Sequence, residues 1–243
     1  MRSTVEAGFN TTNNVSLYLD ATNRFSNPGG SIWYDISGRG NHFNLNGAPT
    51  YVDGGPLQFN YNGGNQYAAC NNATFGNFGS SSFTLEFVYN YVTGSGAYPA
   101  VFKKRSSMSF VSGSGNPGIA WNMDVPGAVF IVDEFGLFNN GSAYMAPGTI
   151  KNQIVHSVMA VERPAYDRNI ITASIYTNSV KQSDNIQCRM SGSGIINSAN
   201  TATLIAGDNY ATASLYLVRA YNFTLSQTEI NSLYTSARTK YGF

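Results

Sequence analysis

Charge is scarce in this sequence. Its 243 residues carry 14 Lys and Arg against 13 Asp and Glu, a net charge of +1, and only 11% of positions are charged. Proteins that hold nucleic acid neutralise phosphates with clustered Lys and Arg, and the one basic cluster here is Lys103, Lys104 and Arg105. A solvated turn accounts for it, so nucleic acid is not an expected partner. Long apolar runs are missing as well. The longest, Ala128 to Val132, is far below the roughly 20 residues a membrane-spanning helix needs, and no membrane insertion is expected. Residues 1–14 hold no apolar segment of the kind a secretory signal requires, which predicts a soluble chain without an export signal. Cysteine is nearly absent, and Cys70 and Cys188 make no disulfide framework; two free buried thiols are expected.

Catalytic material is just as thin. Glycoside hydrolysis usually needs two carboxylates flanking the scissile bond. The nearest pair, Asp133 and Glu134, is adjacent on a strand and therefore faces opposite ways. His42 and His156 are the only imidazole bases, and neither lies in a recognisable nucleophile motif. The expectation is a protein that is no enzyme.

What the sequence does have is alternation. With 42% hydrophobic residues the chain can close a sizeable core. Phe83, Leu85, Phe87, Tyr89 and Tyr91 alternate with Thr84, Glu86, Val88 and Asn90, which is the period of a strand with one strongly apolar face. The same period runs through Val15 to Asp20, Leu57 to Tyr61 and Ile171 to Tyr176. Further strands are expected at Ala100 to Lys103, Ala128 to Asp133, Ile154 to Glu162, Leu204 to Gly207 and Ser214 to Tyr221, separated by Gly, Asn, Ser and Pro clusters. About ten short strands pack most naturally as a sandwich or barrel. No linker divides them, so the expected organisation is an N-terminal arm, 1–14, and a single domain, 15–243.

One helix is predicted near the C-terminus. Ser226 with Glu229 three residues later makes a capping box, Leu225 and Ile230 stand where a hydrophobic staple would, and Ile230, Leu233, Tyr234, Ala237 and Tyr241 recur at helical spacing. That stripe should pack on the sandwich.

Five segments, in order, carry a resemblance. Trp33-Tyr34-Asp35-Ile36-Ser37-Gly38-Arg39-Gly40-Asn41, Leu57 to Tyr67, Ser82 to Tyr89, the pair Val155 to Val161 with Ile175 to Val180, and Leu217 to Leu233 together resemble the concanavalin A-like (laminin G-like) domain family. Val88, Ser179 and Asn222-Phe223 depart from that family's pattern, so the resemblance is to a divergent member. It implies an all-β, concanavalin A-like jelly-roll sandwich of two antiparallel sheets with one short C-terminal helix. The family includes lectins, adhesion domains, some glycosidases and proteins of viral particles. Its hydrolases carry a strand reading E-x-D-x-x-E, which this sequence lacks.

The resemblance also implies calcium as a cofactor to weigh, with Asp35 and Asn41 as the candidate ligands. The competing reading is that both brace a Gly-rich turn by bonding its backbone. Sugar recognition needs aromatic rings to stack on pyranose faces and polar groups to bond hydroxyls. Three Gly, Ser and Asn-rich segments offer them: 94–99, 112–124 and 135–147, with Tyr98, Trp121 and Tyr144 as the rings and Asn122, Asp124, Asn139 and Asn140 as polar contacts. Alternatively, Trp121 plugs the core. The expected function is a non-catalytic surface-recognition module whose partner is a glycan or a neighbouring protein subunit. An assembly setting, such as a virion surface, is expected with it, as a homo- or hetero-oligomer. A purely structural capsid or cementing protein is the first alternative, and a glycoside hydrolase the second and less favoured one.

Overall fold

The computed structural model of the chain describes residues 14–60, 66–94, 100–104, 118–122, 129–132, 142–143, 150–167, 170–182, 186–189, 197–205 and 211–243. In chain order they form β1 (Val15–Asp20), β2 (Ile32–Trp33), β3 (Phe43–Asn46), β4 (Thr50–Tyr51), β5 (Leu57–Phe59), β6 (Tyr67–Cys70), β7 (Phe83–Gly94), β8 (Ala100–Lys104) and β9 (Gly118–Asn122). Then come β10 (Val129–Val132), β11 (Ser142–Ala143), β12 (Ile154–Glu162), β13 (Ile170–Thr177), β14 (Val180–Lys181), β15 (Ile186–Arg189), β16 (Thr203–Leu204), β17 (Ala211–Tyr221) and the helix α1 (Gln227–Tyr241). The fold is an all-β sandwich of two antiparallel sheets with one C-terminal helix. The first sheet runs β14-β13-β12-β7-β17-β5-β4, with β1 also paired to β17 and β15 to β13; the second runs β11-β10-β9-β8-β16-β6-β3-β2.

Alternation along β7 builds the centre. Phe83, Leu85, Phe87, Tyr89 and Tyr91 all point into the inter-sheet core, where they meet Trp33, Phe43, Phe102, Trp121 and Leu204 of the second sheet. The neighbour β12 pairs with β7 without a break from Ile154 opposite Asn90 to Val161 opposite Phe83. On its other side β17 is irregular, with a register shift between Leu215 and Leu217. The extra residue flips the strand. Ala213 and Leu215 face the core before it and Val218 and Ala220 after it, which turns Leu217, Arg219 and Tyr221 to the outer face.

That outer face is covered by α1. The helix starts at its predicted cap: Ser226 has extended backbone angles, its Oγ accepts from the Glu229 N–H, and Glu229 Oε2 accepts from the Ser226 N–H at 2.7 Å. Gly242 closes the other end with φ 74°, a left-handed conformation that suits a residue lacking Cβ, and its N–H donates to the Arg238 carbonyl. Ile230, Leu233 and Ala237 are the buried stripe. Ile230 and Leu233 pack with Val15, Val158, Ala160, Tyr176, Tyr221 and Leu225, while Ala237 packs with Val88 and Leu217. Asp20, at the end of β1, receives Lys240 Nζ from the last turn.

Lys103 and Lys104 of the basic cluster lie in β8 and not in the solvated turn expected from their charge. Lys104 is fully buried in β8, where its ammonium donates to the carbonyls of Ala73 at 2.7 Å and Asn200 at 2.8 Å. Burial pushes its pKa below the usual lysine range. Among the described residues Cys70 is a buried free thiol, with its pKa raised by burial to about 11.

Candidate functional site

The turn between β2 and β3 is organised by one carboxylate. Asp35 Oδ1 accepts from the Tyr18 N–H and the Ser37 N–H, both at 2.9 Å, and Oδ2 accepts from Ser37 Oγ at 2.9 Å and the Asn41 N–H at 3.0 Å. Asn41 is equally committed: its amide donates to the Ser16 carbonyl at 2.7 Å, and its Oδ1 accepts from Asn72 at 2.8 Å. Both residues are buried. A calcium ion takes six to eight oxygen ligands with lone pairs free to point at it, and here the side-chain oxygens already face protein donors. Of the two readings of Asp35 and Asn41, calcium ligands or a brace of the Gly-rich turn, these hydrogen bonds describe the brace. His42 belongs to the same unit, its Nδ1 accepting from the Asp35 N–H at 3.0 Å.

Trp121 also differs from its expected role as a surface ring. It lies in β9, fully buried, with its ring 5.6 Å from that of Phe87. It is a core residue joining the two sheets. Asn122 ends β9, opposite Ala100 of β8. Tyr98, Asp124, Asn139, Asn140 and Tyr144 lie outside the described residues.

Under α1 sits a second polar group, built from long-range pairs. Glu86 of β7 lies opposite Arg219 of β17 and Val158 of β12. Its Oε1 accepts from Arg219 Nη2 at 3.0 Å and lies 3.0 Å from His156 Nε2, while Oε2 contacts Arg219 Nε at 2.9 Å and accepts from the Tyr221 hydroxyl at 2.7 Å. Burial alone would raise the Glu86 pKa, but Arg219, His156 and Tyr221 outweigh it and hold the carboxyl at about 2. Tyr18 completes the group, with the Arg219 guanidinium 5.2 Å from its ring. Glu86 and His156 have no solvent-exposed side-chain surface. No substrate reaches them, so the role of this set is to fix the scaffold.

The described surface offers an exposed ring and strong hydrogen-bonding groups in one pair of adjoining loops. The pair lies at the lateral edge where β4 ends the first sheet and β2 ends the second. The turn after β1 is tied from within: Asn23 accepts from the N–H groups of Phe25 on its Oδ1 and of Ser26 and Asn27 on its carbonyl, and Ser26 Oγ accepts from the Asp20 N–H and donates to the Tyr34 carbonyl. Ser26 and Asn27 are buried, yet Phe25 between Arg24 and Ser26 is 82% exposed. Nothing in the packing requires that ring to face water. Arg24 makes a bidentate pair with Asp53 of the β4–β5 turn through Nε, at 3.0 Å, and Nη2, and the Tyr51 hydroxyl donates to the same carboxylate at 3.0 Å. The hydrogen bonds from Arg24 and then Tyr51 hold the Asp53 carboxyl below its usual range. The Tyr51 ring lies on Gly29, whose φ is +86° and where a Cβ would come within 2.9 Å of it, so both conformation and close approach call for glycine.

Sequence reasoning missed this site. The available signal was Phe25 itself, an apolar ring inside Asn23-Arg24-Phe25-Ser26-Asn27-Pro28-Gly29-Gly30, a stretch of turn formers without alternation.

No family model matches the chain, and no curated protein matches it. Among solved structures it is similar to the binding domain of Paraclostridial Mosquitocidal Protein 1, with a TM-score of 0.66 and 16% identity over 93% of this chain and 53% of that one. It is similar to the receptor-binding domain of botulinum neurotoxin type G, with a TM-score of 0.56 and 15% identity over 92% and 51%. A sialidase of Trypanosoma rangeli matches with a TM-score of 0.62 and 15% identity over 93% of this chain and 33% of its own. These are likenesses of fold. The chain spans about a third of the sialidase and about half of each toxin domain.

Proposed function

We propose that the chain is a non-catalytic recognition module, of the concanavalin A-like kind, that binds glycans on the surface of a rigid sandwich. The observation that carries this reading is the turn at Phe25, where an exposed ring and the Arg24, Tyr51 and Asp53 side chains stand on backbone bonded from within. A sugar site needs these components, an apolar face and polar groups that fix hydroxyls. The likeness to a toxin's binding domain and a neurotoxin's receptor-binding domain supports it.

The described carboxylates favour binding over turnover. Asp35 and Glu86 are buried and fully bonded, Asp20 holds Lys240, Asp53 holds Arg24, and Glu229 caps α1, which leaves Glu162 and Asp167 as the described carboxylates outside this set. A hydrolytic pair would need two carboxylates facing one bond. Tyr98, Asn122, Asp124, Asn139, Asn140 and Tyr144, whose segments flank the strands β8 to β11, are proposed as a second set of contacts, to be tested by alanine substitution.

A printed array of neutral, sialylated and sulfated glycans tests the function. Selective binding to a subset, with no reducing sugar released from the bound glycan, is the expected result. Binding to none of them, or sugar release abolished by one Asp or Glu substitution, overturns it.

A further inference from the structure

Resting on the glycan-binding reading, we infer that the Arg24, Phe25, Tyr51 and Asp53 surface is the sugar site itself and takes a neutral pyranose, stacked on Phe25 with its hydroxyls bonded by Arg24 and Tyr51. Three observations lead there.

The first is the ring. An aromatic side chain brings a large apolar face at little conformational cost when its backbone is already fixed, and Phe25 is 82% exposed on a turn in which the N–H groups of Phe25, Ser26 and Asn27 are bonded to Asn23. A pyranose offers a matching patch of C–H groups on one side. The second is unused hydrogen-bonding capacity. Of the five N–H donors of a guanidinium, Asp53 takes one on Nε and one on Nη2 and the Tyr51 hydroxyl interacts with the same group, while a side chain 76% exposed keeps further donors open to solvent. The Tyr51 hydroxyl gives its proton to Asp53 and turns one lone pair toward Arg24, which leaves it the other. Donors and an acceptor on the residue next to an exposed ring and on its cross-loop partners are what a row of sugar hydroxyls needs.

The third is charge, which decides the class of sugar. Arg24 and Asp53 cancel each other through two parallel hydrogen bonds. A sialyl or sulfated sugar would bring a second negative charge beside Asp53, whereas a neutral sugar bonds the pair as it stands. The pair also fixes both groups: Arg24 is anchored from the turn after β1, and Tyr51 is held in place by the Gly29 backbone.

Isothermal titration with cellotetraose, mannotetraose and lacto-N-tetraose, against sialyllactose and a heparin-derived tetrasaccharide, tests the assignment. The native protein should bind at least one neutral probe more tightly than either acidic one. Phe25→Ala should weaken that binding tenfold or more and Asp53→Ala several-fold, while Tyr166→Ala, which removes the other highly exposed aromatic among the described residues, changes it less than twofold. Melting midpoints of all three variants should stay native. Unchanged affinity in Phe25→Ala overturns the site while leaving glycan binding in place, and preference for the acidic probes overturns the class. Absence of binding to any probe, neutral or acidic, contradicts the glycan reading and this inference with it.

Discussion

The same three chemical groups meet in two places with opposite consequences. Glu86, Arg219 and Tyr221 join a carboxylate, a guanidinium and a phenol beneath α1; Asp53, Arg24 and Tyr51 join the same three on the sandwich edge. In the first set the carboxylate and guanidinium side chains are 0% and 6% exposed, in the second 57% and 76%. Burial, not chemistry, divides scaffold from surface. Ions taken out of water are tolerated only when their partners are all in place, so Glu86 specifies which residues of β17 and β12 lie beside it. An exposed ion pair adds little to stability, and its remaining donors and acceptors stay available to a ligand.

This contrast can be broken most directly at Glu86. Glu86→Gln leaves Arg219 facing a neutral group in a dry site and should cost roughly 3 to 5 kcal/mol in urea denaturation; a cost no greater than that of Asp53→Asn would erase the distinction. Acid sharpens it. Glu86 is held at about 2 in the folded protein against an ordinary 4.5, so its contribution is complete above pH 4.5 and is lost as the pH falls from there through 2. Stability of the Glu86→Gln variant should vary less steeply across that window, measured by denaturation at each pH. A smaller effect is expected at the helix that keeps the buried set dry: Ser226→Ala removes the cap and should cost about 1 kcal/mol, seen as a lowered melting midpoint. At the exposed end, Asp53→Asn should leave the midpoint unchanged.

Elements with strong one-sided alternation were legible in the sequence. The expected Ile154 to Glu162 strand coincides with β12, the expected Phe83 to Tyr91 strand runs on to Gly94, and α1 begins after its predicted cap. Each owes its form to local pattern. The reading failed where long-range packing decides. Trp121 sits in a five-residue strand among Gly, Ser and Asn, which reads as a loop until Phe87 and Phe102 are placed beside it. Glu86 alternates with an apolar face and so reads as solvent-facing, because the helix that covers it is more than a hundred residues away. Asp35 could be assigned either to a turn brace or to calcium, and only the donors from Tyr18 and Asn41 decide between them. The Arg24–Asp53 contact crosses from one loop to another, and no local spacing announces it.

Backbone amide shifts of the 15N-labelled protein, titrated with cellotetraose, mannotetraose and lacto-N-tetraose in turn, test recognition at this edge most directly. Shifts centred on residues 22–30 and 50–56, with the amides of α1 and β7 unmoved, are the predicted result. Shifts elsewhere with the turn around Phe25 silent would contradict it.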